Sequence, residues 1–242
     1  MQSFIENIRN QFYTNFVEQD RWRFLVDGLK VTLQLTFCAV LIGIVIGIII
    51  AMIRSTHDKN IKEMRPGFGR FVLQFLNVLA KIYLTVIRGT PVVVQLLIVY
   101  FVILASCKSK LLVGMIAFGV NSGAYVAEIV RSGIMSVDNG QFEAGRSLGF
   151  NYVQTMRYIV IPQALKSVLP ALANEFIVLL KETSVAGYIA MQDLTKGGDI
   201  IRGATFSPFM PLLAVALIYL VMVMFFTFLV NKLERRLRNS ER

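Results

Sequence analysis

Histidine and cysteine are almost absent from this chain. The single histidine, His57, lies in a charged stretch, and the two cysteines, Cys38 and Cys107, lie in or at the edge of apolar runs. Without a His/Cys cluster a transition-metal site has no ligands to use. The cysteines read as small buried hydrophobes, not as a disulfide framework. Catalytic sets are missing as well. There is no Ser/His/Asp arrangement and no cofactor motif, and one histidine in a loop is not a base in a site. A phosphate-binding loop is approached only at Gly140-x-x-x-x-Gly145-Arg146-Ser147, where arginine stands in place of lysine. Residues 134–139 before it do not read as a buried strand, and no βαβ pattern occurs anywhere. No cofactor is therefore expected on this chain; if ATP drives it, a partner binds the nucleotide. No internal repeat is found, which disfavours a gradient-driven transporter built from inverted halves. No cleavable signal peptide is expected, because the first apolar run begins near Phe24, after a mixed-charge tail, and is too long for an h-region.

What the chain has in excess is apolar sequence. Hydrophobic residues make up 55% of its 242 residues, and the mean hydropathy is +0.62. Soluble domains usually hold about 45–50% apolar residues, so the class is integral membrane protein. At about 20 residues per spanning helix, roughly five or six spans fit. The net charge of +10 would suggest nucleic acid in a soluble protein. In a membrane protein it marks cytoplasmic loops instead, and no nucleic-acid partner is expected.

Five spans are expected, over about 25–53, 91–106, 111–132, 165–180 and 208–230. Residues 1–24 form a tail, extracytoplasmic and interfacial, and 54–70 a charged cytoplasmic loop that includes Lys62 and Glu63. In the first span Thr32, Gln34 and Thr36 are placed to face other helices, and Gly43 with Gly47 makes a small-x-x-x-small pair that admits a close helix. Residues 71–87 are read as an interfacial helix, since Lys81 at the centre of a span would cost about 2.5–3.5 kcal/mol on insertion scales. With the C-terminus in the cytoplasm, this arrangement puts sixteen Lys and Arg on the inside segments and eight on the outside ones, with the N-terminus outside. Six spans would move the basic cluster of 54–70 to the outside, against the usual asymmetry.

Several polar groups fall inside the expected spans. Asn121, Tyr125 and Glu128, at i, i+4 and i+7, share one helix face. Asn174 and Glu175 interrupt the fourth span. Such groups face a cavity or a partner. They either line a polar path through the bundle or pair structurally, for example Glu128 with Arg131 or Lys181.

Between the third and fourth spans lies a polar, cationic stretch, Glu143-Ala144-Gly145-x3-Gly149-x9-Ile159-x-Ile161-Pro162. It resembles the cytoplasmic loop motif of ABC importer permeases, Glu-Ala-Ala-x3-Gly-x9-Ile-x-Leu-Pro, with Gly145 for the second alanine and Ile161 for leucine. Further segments resemble the polar amino acid subgroup: Gly28-Leu29-x2-Thr32-Leu33, Arg88-Gly89-Thr90-Pro91, Ser122 to Ile134, Asn174-Glu175-Phe176 and Lys181-Glu182-Thr183-Ser184. The resemblance covers about residues 25–232. It implies an all-α, type I importer permease domain with a coupling loop at 133–164 and a basic cytoplasmic tail at 233–242. Glu143, Ala144, Gly145, Leu148 and Gly149 would form the coupling helix, with Glu143 at its start, Gly149 ending it in a left-handed turn, and Pro162 breaking the chain before the next span. Asn121, Tyr125, Glu128 and Glu175 would line the substrate cavity. The implied partners are two ABC ATPase subunits carrying ATP and magnesium, an extracytoplasmic amino-acid-binding protein, a second permease (the same chain or a paralogue) and membrane lipid. The implied location is a bacterial cell membrane.

Overall fold

The computed structural model describes residues 2–61 and 64–239; Met1, Lys62, Glu63 and the last three residues of the basic tail lie outside the described residues. The described residues are helical with no strand. Ten α-helices follow in order: α1 Gln2–Phe12, α2 Trp22–Asn60, α3 Phe68–Gly89, α4 Val92–Ile98, α5 Lys110–Met135, α6 Asn139–Ser147, α7 Tyr152–Thr155, α8 Ile161–Glu182, α9 Leu194–Thr205 and α10 Phe209–Asn239. Five helical stretches are long and apolar enough to cross a membrane: Trp22–Asn60, Phe68–Gly89, Lys110–Met135, Tyr152–Ile189 and Phe209–Leu237. Many large apolar side chains on them face outward, among them Val45, Phe75, Ile82, Val221 and Phe228. A water-soluble protein would not leave that much apolar surface open.

The count of five matches expectation, but the second of these long apolar stretches is 68–89, not 91–106. The segment at 91–106 holds only the short apolar helix Val92–Ile103, about half the length a bilayer core needs. The long helix is α3, read from sequence as interfacial because of Lys81. It stops at Gly89: Thr90 is extended, as a residue preceding proline prefers, and Pro91 lacks the donor a continuing helix would need. A second expectation is also corrected. Pro162 does not break the chain; it is the second residue of α8, which continues directly from α7 through a π-helical turn at Met156–Val160. The wider turn shifts the hydrogen-bond register just before the proline, so the helix carries on.

The chain divides into two compact units. The first takes residues 1–39, 92–118 and 177–228. Its core is Phe16, Leu25, Leu194, Ile201 and Val215. Thr32 Oγ1 accepts from the Leu194 amide at 3.1 Å, and Thr36 Oγ1 lies 3.5 Å from Thr183 Oγ1. Both threonines are fully buried, as their place in the first span suggests, whereas Gln34 is exposed. Asn15 fixes the tail to this unit: its carboxamide oxygen accepts from Thr205 Oγ1 at 2.7 Å. Asp193 caps α9 by accepting from the Thr195 and Lys196 amides at 3.1 and 3.2 Å. Burial pushes its carboxyl above the ordinary range, against the pull of those amides.

The second unit takes residues 40–91, 119–176 and 229–242. Here α2 and α5 pack at the glycines. A Cβ on Gly43 would lie 3.0 Å from Ser122 Cβ, and one on Gly47 would collide with Val126. The helix that the small pair admits is therefore α5. Leu84 of α3 packs on Ala124 and Ala127 of α5, with Ile50 and Tyr83 beside them. Tyr83 donates to the Val120 carbonyl at 2.6 Å.

Candidate functional site

Both candidate regions lie in the second unit. The first is α6. Asp138 caps its N-terminus, accepting from the Gly140 amide at 2.6 Å. The helix closes through the amide of Phe150 to Gly145 O at 3.0 Å and that of Gly149 to Arg146 O at 2.9 Å. This is a Schellman closure, and Gly149 takes the left-handed conformation it requires at φ +76°. Asn151 and Gln154 then form a capping box, each side chain to the other's amide at 2.9 Å. The expected helix thus begins earlier than 143. Asp138, not Glu143, holds its N-terminus, because only Asp138 precedes the first unsatisfied amides.

Phe142 and Gly145 are the buried side of α6; Phe142 joins Ile134, Val137, Val160 and Ala164. Glu143, Ala144, Ser147 and Leu148 are exposed, Leu148 at 70%. Gly145 explains itself by what it leaves room for: a Cβ there would lie 2.6 Å from Thr155 Oγ1 and 2.7 Å from Thr155 Cγ2. From α2, Lys59 reaches α6: its ammonium lies 2.6 Å from Asn139 Oδ1 and 4.3 Å from the centre of the Phe142 ring. A cavity of ≈ 480 Å³ lies between Lys59, Phe142, Glu143, Arg146 and Tyr152. The glycine-spaced run 140–147 forms this capped helix, not a loop after a strand, so it does not cradle a phosphate.

The second region comprises the polar groups of α3, α5 and α8. Glu175 is 7% exposed and accepts from Ser122 Oγ at 3.0 Å. Asn121 beside it is 2% exposed. Tyr125 is half-buried, with the Arg88 guanidinium 5.7 Å from its ring centre. Glu128 pairs with Arg131 at 3.3 Å, and Arg131 reaches Asp58 at 3.5 Å. Of the two carboxylates singled out, Glu128 thus makes the structural pair named for it, while Glu175 is held by a serine. A cavity of ≈ 450 Å³ is lined by Arg54, Lys81, Thr85, Arg88 and Glu128 over Leu84. Among the four expected substrate residues only Glu128 lines it. Lys81, Arg88 and Arg54 were not singled out as site residues, although their signal was present: Lys81 was the charge that did not fit a span. Facing a polar cavity is what lets a long apolar helix carry it. Among the described residues no group of three or more His, Cys, Asp or Glu side chains is placed to hold a metal ion.

Comparison with known proteins gives the same outline. The family described as binding-protein-dependent transport system inner membrane component matches residues 67–239. The putative glutamine transport system permease protein GlnP of Rickettsia typhi is 35% identical over 217 residues, covering 88% of this chain and 93% of that protein. The arginine transport system permease protein ArtQ of Bacillus subtilis is 34% identical over 221 residues, covering 90% and 94%. Among solved structures, an amino acid ABC transporter crystallised with histidines superposes with a TM-score of 0.78 at 41% identity, covering 91% of this chain and 98% of that one.

Proposed function

The chain belongs to the family of binding-protein-dependent transport system inner membrane components, and on that premise we propose that it is the permease subunit of an ATP-driven importer of polar amino acids. As a membrane-embedded ABC permease it is a transport subunit, and its kind works with an ATPase and a binding protein. The finer reading gives it two ATPase subunits holding ATP and magnesium, a second permease subunit and an extracytoplasmic amino-acid-binding protein. It sits in a bacterial inner membrane with its N-terminus outside and its C-terminus in the cytoplasm.

The observation that carries the coupling role is α6. It is a short helix, capped at both ends, with one side packed into the unit and the other side, Glu143, Ala144, Ser147 and Leu148, left open. A partner that grips this outer side moves α6. Phe142 and Gly145 pass that movement to the helices beneath through packed contacts, not flexible loop. Substrate passage falls to the polar groups of α5 and α8, Asn121, Tyr125, Glu128 and Glu175. An intramembrane carboxylate held in place by a partner suits an ammonium group on the substrate.

The test is co-purification in mild detergent from the native membrane, wild type against Glu143→Arg. Wild type is expected to bring down an ATPase, and the variant to lose most of it while its own folding is unchanged. If neither brings down an ATPase, the coupling assignment fails and an ion-gradient mechanism takes its place.

A further inference from the structure

The charge of the cavity beside α3 is not accounted for by pairing. Lys81, Thr85 and Arg88 recur at i, i+4 and i+7, so they occupy one face of α3. Arg54 of α2 and Glu128 of α5 complete the lining. That is three cations against one carboxylate, and the carboxylate is already shared with Arg131 at 3.3 Å. Arg54 Nε is buried without a hydrogen-bond partner among the described residues. The structural explanations cover only part of the set. Arg88, in the last turn of α3, suits the negative end of the helix dipole, and its guanidinium packs on Tyr125. Lys81 is mid-helix and has neither reason. A cation in a long apolar helix is costly where it meets lipid, and an anion in the cavity would offset that cost. At ≈ 450 Å³ the cavity is within the usual size range of small-molecule sites, about 300–1,000 Å³.

We propose that the cavity lined by Arg54, Lys81 and Arg88 is a carboxylate-binding subsite on the translocation path, which selects acidic and neutral polar amino acids over cationic ones. This rests on the reading of the chain as an amino-acid permease and narrows its substrate class. The cations hold the carboxylate of the substrate, two of them if the side chain is acidic. Glu128 keeps Oε1 for the α-ammonium while its Oε2 pairs with Arg131, and no second acidic group among the described residues lines the cavity for a cationic side chain. Lysine or arginine in this site would place its side-chain charge among like charges.

The probes are radiolabelled glutamate, glutamine and arginine, bound at equilibrium to the purified permease with whatever subunits co-purify, so that a binding protein does not choose the ligand. Glutamate and glutamine are expected to bind at least tenfold more tightly than arginine. Lys81→Glu is expected to shift the glutamate-to-arginine ratio at least tenfold toward arginine, and Lys81→Arg to keep the wild-type order. Equal binding of arginine, no binding of any of the three, or an unchanged ratio in Lys81→Glu would overturn the proposal. Repeating the measurement in phosphatidylcholine and phosphatidylglycerol nanodiscs separates the two sources of an anion. Glutamate binding abolished by phosphatidylglycerol would assign the cavity to a lipid headgroup and overturn the proposal too. The presence of an ATPase in the same preparation is scored independently. Its absence with the binding order intact would fault the coupling role and leave the subsite standing.

Discussion

At Gly145 one side chain fewer decides how the coupling segment packs. The related motif carries alanine there, and alanine favours helix over glycine by about 1 kcal/mol. Yet Thr155 fills the space a methyl would take, with both branches of its side chain under 3 Å from that point. Turning the threonine exchanges one branch for the other, and a β-branched side chain has few other choices. Gly145→Ala is therefore expected to lower stability on balance, since overpacking costs about 1–3 kcal/mol. Thermal unfolding in detergent should show a reduced midpoint for Gly145→Ala and recovery in Gly145→Ala/Thr155→Ala. Recovery is possible because the obstacle is a side chain. A midpoint at or above wild type in the single variant would show that Thr155 gives way. The glycine was visible in the sequence as a departure from a motif, but its reason was not, because Thr155 is ten residues away and meets it only after the turn at Gly149.

Helices α2 and α5 show the same contact where no such rescue is open. The Gly43/Gly47 pair was legible, and so was its meaning, because four-residue spacing puts two gaps on one side of a helix. Which helix enters the gap was not legible; that depends on the whole arrangement. At Gly47 the obstacles are Val126 and also the Ala127 amide nitrogen, 2.9 Å from the added carbon. Gly47→Leu should force α2 and α5 apart, cutting folded yield several-fold and lowering the unfolding midpoint, and Val126→Ala should restore little of it. Full restoration by Val126→Ala would mean that the backbone does not limit the approach. The placing of Lys81 on α3 belongs to this scale too. Residue-by-residue transfer costs treat Lys81 as if it met lipid, whereas its neighbours four and seven positions on, Thr85 and Arg88, line the same cavity. Their spacing was present in the sequence; the missing piece was Glu128 and Arg54 arriving from other helices. Pro162 was misjudged for a related reason, since a π-helical turn has no plain sequence signature.

At the scale of the whole molecule, charge bears on orientation. Whether 68–89 or 91–106 makes the second crossing, an odd number of spans separates residue 10 from residue 147, so both placements lead to the orientation expected from the basic residues. Charge asymmetry acts through loops and span ends, and exchanging which of two adjacent segments spans leaves the 54–70 cluster on the same side. The check uses a background with Cys38→Ser and Cys107→Ser, the two cysteines of the chain, and adds Asn10→Cys or Ser147→Cys, both at exposed positions. A membrane-impermeant maleimide should label the thiol at position 10 in intact cells. The thiol at 147, on the outer side of α6, should react only after the membrane is opened. Labelling of 147 in intact cells would place α6 outside, where no ATPase could reach it. Protection of both positions would instead put the N-terminus in the cytoplasm and make 68–89 and 92–103 separate crossings, which the 12 residues of the second segment are too few to complete.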